Sequence, residues 1–499
     1  MAFFEFNIAM TGLFAAQRGL QVTSNNITNA NTTGYSRQEI KQQASRPLSG
    51  IGVGMTGTGV DITGLNRVRD SYIDQKLWSQ NPRLGEYNVK VTQNSMIESA
   101  FGEPSEKGFT AVFNDLFSAI SNLSLNPSST ENKSVLKQEM SKFAKYFNNI
   151  SGTLSKYQQD LNFDFKNTVN AINSLSTRIA SLNDQIMNAE IYGDEASSFR
   201  DERDNCLDEL SKLINIEVEE DEYEVRGNTI TKMRVKAAGQ VLVDNIQGNT
   251  LDVVVRKNKL NEQDVDGLYD VVWSNGLSFE MNDVNMSGEL KAIIDVRDGC
   301  GTDGANKYCG IPYYIKRIDE YVRTFAKKMN QEYGKNNTSS KEYAMFSFLD
   351  ENGILSAGEL KSTGYSKMTA ANFTISKEID ADDMRTLFDE SNPSDTSFML
   401  NLLAQKDNKS MFEEGDPKDY MVAIFSELGI NAKEAGMYQN TQKSVVNNLT
   451  NQRMSVSQVD ITEEFTYLMK YQQAYQASAK IMTTIDGIYE TTIFKLGNF

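Results

Sequence analysis

At 499 residues the chain is longer than one ordinary hydrophobic core organises, and roughly three domains is the expectation. Hydrophobic residues make up 39% at a mean hydropathy of -0.47, and no apolar run reaches the ~18 residues that a membrane helix needs, so a water-soluble, helix-rich chain is expected. A net charge of -17 argues against nucleic acid and anionic membrane as partners, and the absence of any His excludes Ser/His and Cys/His relays.

The charge is unevenly placed. Residues 1–60 hold four Lys/Arg and two Asp/Glu, while residues 455–499 hold three and five, so the ends cancel and the middle carries the whole -17. Near-neutral ends suit self-association.

The start, MAFFEFNIAMTGLF, has no basic leader and carries Glu5 early, so a conventional cleaved signal peptide is not expected. Residues 3–28 read as a helix. Phe6, Leu13, Leu20 and Ile27 repeat at seven, Phe3 and Met10 share the partner row, and Gln17 and Ser24 weaken it. Ala9, Gly12, Ala15, Ala16 and Gly19 would let a neighbouring helix approach closely. TNANTTGYS follows as a turn, and residues 36–70 look extended, with GIGVGMTGTGVDIT patterned as a hairpin. Gly52, Gly54 and Gly57 satisfy G-x-G-x-x-G, but TGVDITGL follows where a phosphate loop would need a helix. A Gly-rich hairpin is the better reading.

Segments 71–101, 108–123, 129–192 and 198–213 show helical spacing, broken near Pro104 and Pro127. Within 152–190, Leu154, Leu161, Phe165, Val169, Ile172, Leu175, Ile179, Leu182 and Ile186 form one apolar stripe, with Asn and Ser frequent on the other face. FRDERDNCLDEL (199–210) interleaves charges that could pair along a helix, a structural role. Near Ile216 the period changes to two, and 216–285 reads as β-rich. Its acidic run EVEEDEYE is read as a solvated strand face. SGELKAIIDVRD (287–298) and 312–334 return to helix across a Gly/Asp loop holding Cys300 and Cys309, which could pair or stay reduced. Three sparse cysteines, with Cys206, do not make a disulfide framework.

Residues 335–397 are irregular, with strand candidates such as ANFTIS. Asp350, Asn352 and Gly353 suggest a turn, since Lys361 stands where a Ca²⁺ loop needs its bidentate Glu. Helices resume near 397, and from 418 the chain is almost all helix. From Ile461 a seven-residue repeat continues through Leu468, Tyr475, Met482, Tyr489 and Leu496, with Phe465, Ala479 and Ile493 in the companion row. That is the pattern of a coiled-coil seam.

The expected fold is mainly α with a β insert: a terminal-helix coiled coil, a long helical-bundle domain and a β-rich middle domain. Residues 1–40 and 455–499 would form the coiled-coil inner domain. Residues 41–215 and 398–454 would form the bundle, with 41–70 an extended hairpin, and 216–397 a β-rich outer insert with helices near 287–334. Two thin helices beyond a globular body are marginal alone, so the ends are expected to be loose in the isolated subunit and to fold against other copies. No metal, cofactor or catalytic constellation stands out.

Residues 24–40, SNNITNANTTGYSRQEI, resemble the signature of bacterial flagellar rod and hook axial proteins, carried by Asn25, Asn26, Ala30, Asn31, Thr32, Gly34 and Tyr35. The continuation through Ser36 and Arg37, and the tail VDITEEFTYLMKYQQAYQASAKIMTTID (459–486), are similar to the hook-associated protein 1 family. The chain departs at Thr33, where many members have Pro, and in carrying Cys. The resemblance implies a non-enzymatic structural subunit, exported through the flagellar type III export apparatus without a cleaved signal and placed extracellularly at the hook–filament junction. Its implied partners are copies of itself, hook protein, the second junction protein (hook-associated protein 3), flagellin beyond it and an export chaperone. The terminal helices would line the channel, with the β insert outward. A hook or rod axial protein, or a flagellum-borne adhesin acting through 216–397, stay open as alternatives; composition alone would leave the chain in the cytoplasm.

Overall fold

The computed structural model describes residues 2–50, 54–102, 108–194, 196–225, 227–280, 285–335, 341–385 and 397–492. Gly52, Ile493 and Leu496 lie outside them. Helix α1 (Ala2–Asn29) leads through the Gly34 turn into a hairpin, in which β1 (Gln38–Ala44) pairs with β4 (Val60–Arg67) and β2 (Leu48–Gly50) with β3 (Gly54–Thr56). A register shift between Lys41 and Gln42 bends the ladder.

Four helices follow: α2 (Ser71–Phe101), α3 (Phe109–Leu125), α4 (Thr130–Ile191) and α5 (Ser197–Leu213). Their boundaries have local causes. Asp70 caps α2 by accepting from the Tyr72 amide, and Gly102 ends it at φ 65°. Ser129 caps α4 through the Asn132 amide. Strands β5 (Ile216–Val225), β6 (Asn228–Ala237), β7 (Gln240–Asp244) and β8 (Gln247–Gly248) form an antiparallel meander, and β9 (Leu251–Val255) pairs with β10 (Tyr269–Trp273). The acidic run lies on β5, an edge strand that it charges against further pairing.

Helices α6 (Glu289–Asp298) and α7 (Ile311–Gly334) come next, then a small sheet of β11 (Phe346–Asp350), β12 (Gly353–Ile354) and β13 (Phe373–Ile375) around short helices α8 (Ala357–Thr363) and α9 (Lys377–Asp380). Helix α10 (Ser397–Ala404) precedes α11 (Pro417–Ser457) and α12 (Ile461–Glu490). Asp416 and Asp419 form a capping box at α11, and Asp460 caps α12 through the Thr462 and Glu463 amides.

One hydrophobic cluster joins α2–α7, the strands β5–β7, β9–β11 and β13, and the start of α11. The α4 stripe is its spine: Leu154, Phe165, Val169, Ile172 and Ile179 are all fully buried. The polar face of α4 is equally engaged. Asn173 donates to the Leu251 carbonyl and accepts from its amide, both at 2.8 Å; Asn183 donates to Asn245 O at 2.9 Å; Asn148 donates to Ala370 O at 2.7 Å. Amide side chains on a helix thus satisfy backbone groups at strand ends that the sheets leave open. Helices α6 and α7, inside the 216–397 segment, lie in this same core. Among the described residues, neither α1 nor α12 contributes to it.

Candidate assembly interface

Helices α1 and α12 pack against each other along small residues. Ala9, Ala15, Ala16, Gly19 and Val22 are buried on α1. A Cβ on Gly19 would fall 2.6 Å from the Tyr471 ring, and one on Gly12 would fall 3.2 Å from Ser478 Oγ. The close approach permitted by these residues is therefore used by the other end of the same chain.

The sequence-read heptads flank that seam. Phe6, Leu13, Leu20 and Ile27 are half-buried, as are Leu468, Met482 and Tyr489. Ile461, Phe465 and Tyr475 are exposed at 43%, 50% and 38%. Phe14, Met469, Ile481 and Ile488 are also exposed, although no heptad singled them out. The physical reason is geometric: with backbones this close, Gly and Ala sit between the helices, and longer apolar side chains are turned to the sides. The helix pair thus presents apolar flanks to its surroundings.

The motif residues build the joint between this pair and the body. Asn26, 1% exposed on the last turn of α1, donates to the Gln38 carbonyl at 2.9 Å and accepts from the Gln38 amide at 3.1 Å. The same side chain donates to Glu464 Oε2 on α12 at 3.1 Å. Tyr35 donates to Asn26 Oδ1 at 2.8 Å and accepts from Asn25 at 3.3 Å. Burial, with Asp201 and Glu464 nearby, pushes the Tyr35 hydroxyl up to about 12, which keeps it a donor. Arg37 Nε binds Glu464 Oε1 at 2.8 Å, and the Arg37 amide donates to Ser457 O at the end of α11. Gly34 holds φ 78°, and a Cβ there would fall 2.0 Å from Asn205 Oδ1 on α5. Ala30, Asn31 and Thr32 form the turn itself, with Thr32 Oγ1 donating to Asn29 Oδ1 at 3.2 Å.

Helix α5 receives the other side of the joint. The Ser36 amide donates to Asp201 at 3.1 Å. Arg67 on β4 reaches Asp201 at 2.8 Å and Asp204 at 2.9 Å, and Arg69 binds Asp74 on α2 at 2.6 Å. Burial alone would raise Asp204, but Arg69, Arg203 and Arg67 around it hold it below the usual carboxylate range. Arg453 on α11 binds Asp208 at 2.7 Å, and Trp78 donates to the same carboxylate at 2.8 Å. Asp201, Asp204 and Asp208 share one face of α5 by their three- and four-residue spacing. Their close partners come from the hairpin, α2 and α11, with Arg203 at 3.6 Å from Asp204 the contribution from within α5, in place of the i,i+3 and i,i+4 pairing that the interleaved charges suggest. Glu464, Arg67, Arg69 and Arg453 were not marked by sequence reasoning. The signal for Glu464 was a carboxylate one turn inside an otherwise apolar-faced helix.

The two ends that meet here are also the two ends that known families share. A model described as "Flagella basal body rod protein" matches residues 6–35, and one described as "Flagellar basal body rod FlgEFG protein C-terminal" matches 450–493. "Flagellar hook-associated protein FlgK helical domain" matches 94–340. Flagellar hook-associated protein 1 of Bacillus subtilis (strain 168) is 27% identical over 99% of this chain and 98% of its own. Along nearly its whole length the chain is similar to flagellar hook-associated protein 1. Its counterpart in Escherichia coli (strain K12) is 24% identical over 98% of both chains. That of Salmonella typhimurium is 24% identical over 98% of this chain and 99% of its own. The flagellar hook junction protein FlgK from Burkholderia pseudomallei, a solved structure, is 18% identical with a TM-score of 0.42, covering 55% of this chain and 46% of that one. Within this chain, the end regions matched by the rod models are the elements joined through Asn26 and Glu464, and the helical-domain match begins near the end of α2 and runs past α7.

Proposed function

We propose that this chain is a structural subunit of the bacterial flagellum that forms the junction between hook and filament and allows the filament to assemble. The observation that carries the mechanism is the helix pair α1–α12: it lies outside the body's hydrophobic cluster and keeps exposed apolar side chains along its flanks. Such flanks gain burial only from other chains, at roughly 25 cal/mol per Å² of apolar surface covered. In this reading residues 1–40 and 455–499 are the inner assembly domain. The body, 41–454, is held to them by Asn26, Tyr35, Ser36 and Arg37.

Phe6, Leu13, Leu20, Ile27, Ile461, Phe465, Leu468, Tyr475, Met482, Tyr489 and Leu496 are the assembly residues of this proposal. The subunit packs on copies of itself, with hook protein on one side and hook-associated protein 3, then flagellin, on the other. It reaches this extracellular place through the type III export apparatus, escorted by an export chaperone, and performs no catalysis. The family resemblance of both ends supports these partners.

The test is a pair of variants, Leu468→Lys and Met482→Lys, in cells and in purified form. Filament attachment should fall sharply while the thermal transition of the body stays near that of the parent chain. A variant that unfolds the body yet leaves attachment by the surviving protein normal would refute the assignment.

A further inference from the structure

The loop joining α6 to α7 brings Cys300 and Cys309 into register. The Gly301 amide donates to Tyr308 O at 3.0 Å, and the Gly310 amide donates to Gly299 O at 3.2 Å. These two bonds bracket Cys300 and Cys309 and hold their backbones side by side, with Cys300 at φ -120°, ψ 17° and Gly301 opening a 3-10 turn at φ 74°. Cys300 is near enough to Cys309 to be one of the groups that raise its thiol. A disulfide spans Cα separations of about 4.4–6.8 Å.

The register is held by close backbone contacts. A Cβ on Gly299 would meet Tyr308 O at 2.4 Å, and one on Gly310 would meet Val296 O at 2.5 Å. The Cys300 amide donates to Asn306 O at 3.1 Å, which closes the loop between the two cysteines. Both are present as thiols; Cys300 is buried and Cys309 half-buried, with its Sγ 3.6 Å from Glu427 Oε1 on α11.

We propose that Cys300 and Cys309 are a disulfide-forming pair, joined by oxidation after folding, that staples the α6–α7 loop against α2 and α11. The oxidant is a small-molecule disulfide. Cys309, the more accessible thiol, loses its proton and attacks one sulfur of the oxidant; that S–S bond breaks, a mixed disulfide forms, and the departing thiolate takes up a proton. Cys300 then loses its proton and attacks Cys309 Sγ, forming the Cys300–Cys309 bond and releasing the second thiol. Two cysteine thiols give up two electrons, and one oxidant disulfide becomes two thiols.

Burial and the Glu427 carboxylate push the Cys309 thiol up to about 11, so the exchange is slow and needs the pre-set register to reach completion. The staple would hold Tyr308, whose hydroxyl donates to Asn94 on α2 at 3.3 Å, and Tyr313, which donates to Glu427 at 2.7 Å.

The test uses the full-length chain with Cys206→Ser, incubated with oxidised glutathione and digested without reduction. Mass spectrometry should find the peptides holding Cys300 and Cys309 linked, with the mass of two hydrogens lost. The oxidised chain should also melt above the same chain after reduction. Stable glutathione on Cys309, dimers linked through either cysteine, or both thiols still open to alkylation would overturn the proposal. Comparing oxidised and reduced forms of one chain avoids relying on a variant at buried Cys300.

Discussion

Replacing Glu464 by Ala removes a carboxylate of α12 that touches both Asn26 on α1 and Arg37 at the entry to the hairpin. It takes away the 2.8 Å bond to Arg37 and the 3.1 Å bond from Asn26. Arg37 keeps Glu39 at 3.3 Å and Glu463 at 3.5 Å, but both of these side chains are about half exposed. Breaking a buried pair costs about 3–5 kcal/mol, and exposed pairs return only ~0.2–1 kcal/mol each. The net loss is therefore about 3 kcal/mol, with Asn26 still tied to Gln38. At ~1.4 kcal/mol per factor of ten, the joint should open about a hundredfold more often. Amide hydrogen exchange reads this directly. The amides of Ser36 and Gln38 and the first turn of α12 should lose about two decades of protection, while those of α4 stay unchanged. Equal loss along α4 would mean that Glu464 supports the body, and no loss at Ser36 and Gln38 would mean that the joint does not depend on it.

The joint should also respond to acid. Asp204 is depressed in the folded chain, so its contribution is present above the unfolded carboxylate pKa of ~3.9 and is lost as pH falls through its lower folded value. Exchange at Ser36 should rise through that window, and Asp204→Asn should flatten the response; an unaltered acid profile in that variant would count against the assignment. Gly34→Ala must displace Asn205 as well as bear a positive φ, whereas Gly227→Ala, at φ 84° with nothing within 4 Å of the added carbon, bears the strain alone. Thermal melts should show the first losing more stability than the second, by about 1 kcal/mol or more; equal losses would remove the close-approach argument. In the isolated subunit, α1 and α12 should exchange faster than α4, since among the described residues none of their side chains joins the body's cluster; protection equal to that of α4 would show that neighbouring copies are not needed to hold them.

Much of the architecture was legible because it follows hydrophobic period. The stripe on α4 and the helices at 71–101 and 312–334 were readable from spacing alone, and the body helices fall within a few residues of their expected ends. The change to period two near Ile216 likewise marks the start of β5. What spacing could not convey was which face of a terminal helix meets which neighbour. Gly12 and Gly19 pack against Ser478 and Tyr471 because small residues allow it, and a heptad count of large apolar residues is blind to that contact. Nor could sequence pair charges separated by more than a hundred residues. Arg67 and Asp204, or Arg453 and Asp208, meet only once the hairpin and α11 have docked on α5. The amide clamps of α4 are similar: Asn173 and Asn183 look like an ordinary polar face until the strands they satisfy are placed beside them.

The placement at the hook–filament junction is tested most directly by deleting the gene for this chain and viewing the cells by electron microscopy. Hooks that carry no filament, with flagellin released into the medium, are the expected result. Normal filaments would contradict the account, and loss of the hooks themselves would assign the chain to the hook or rod instead.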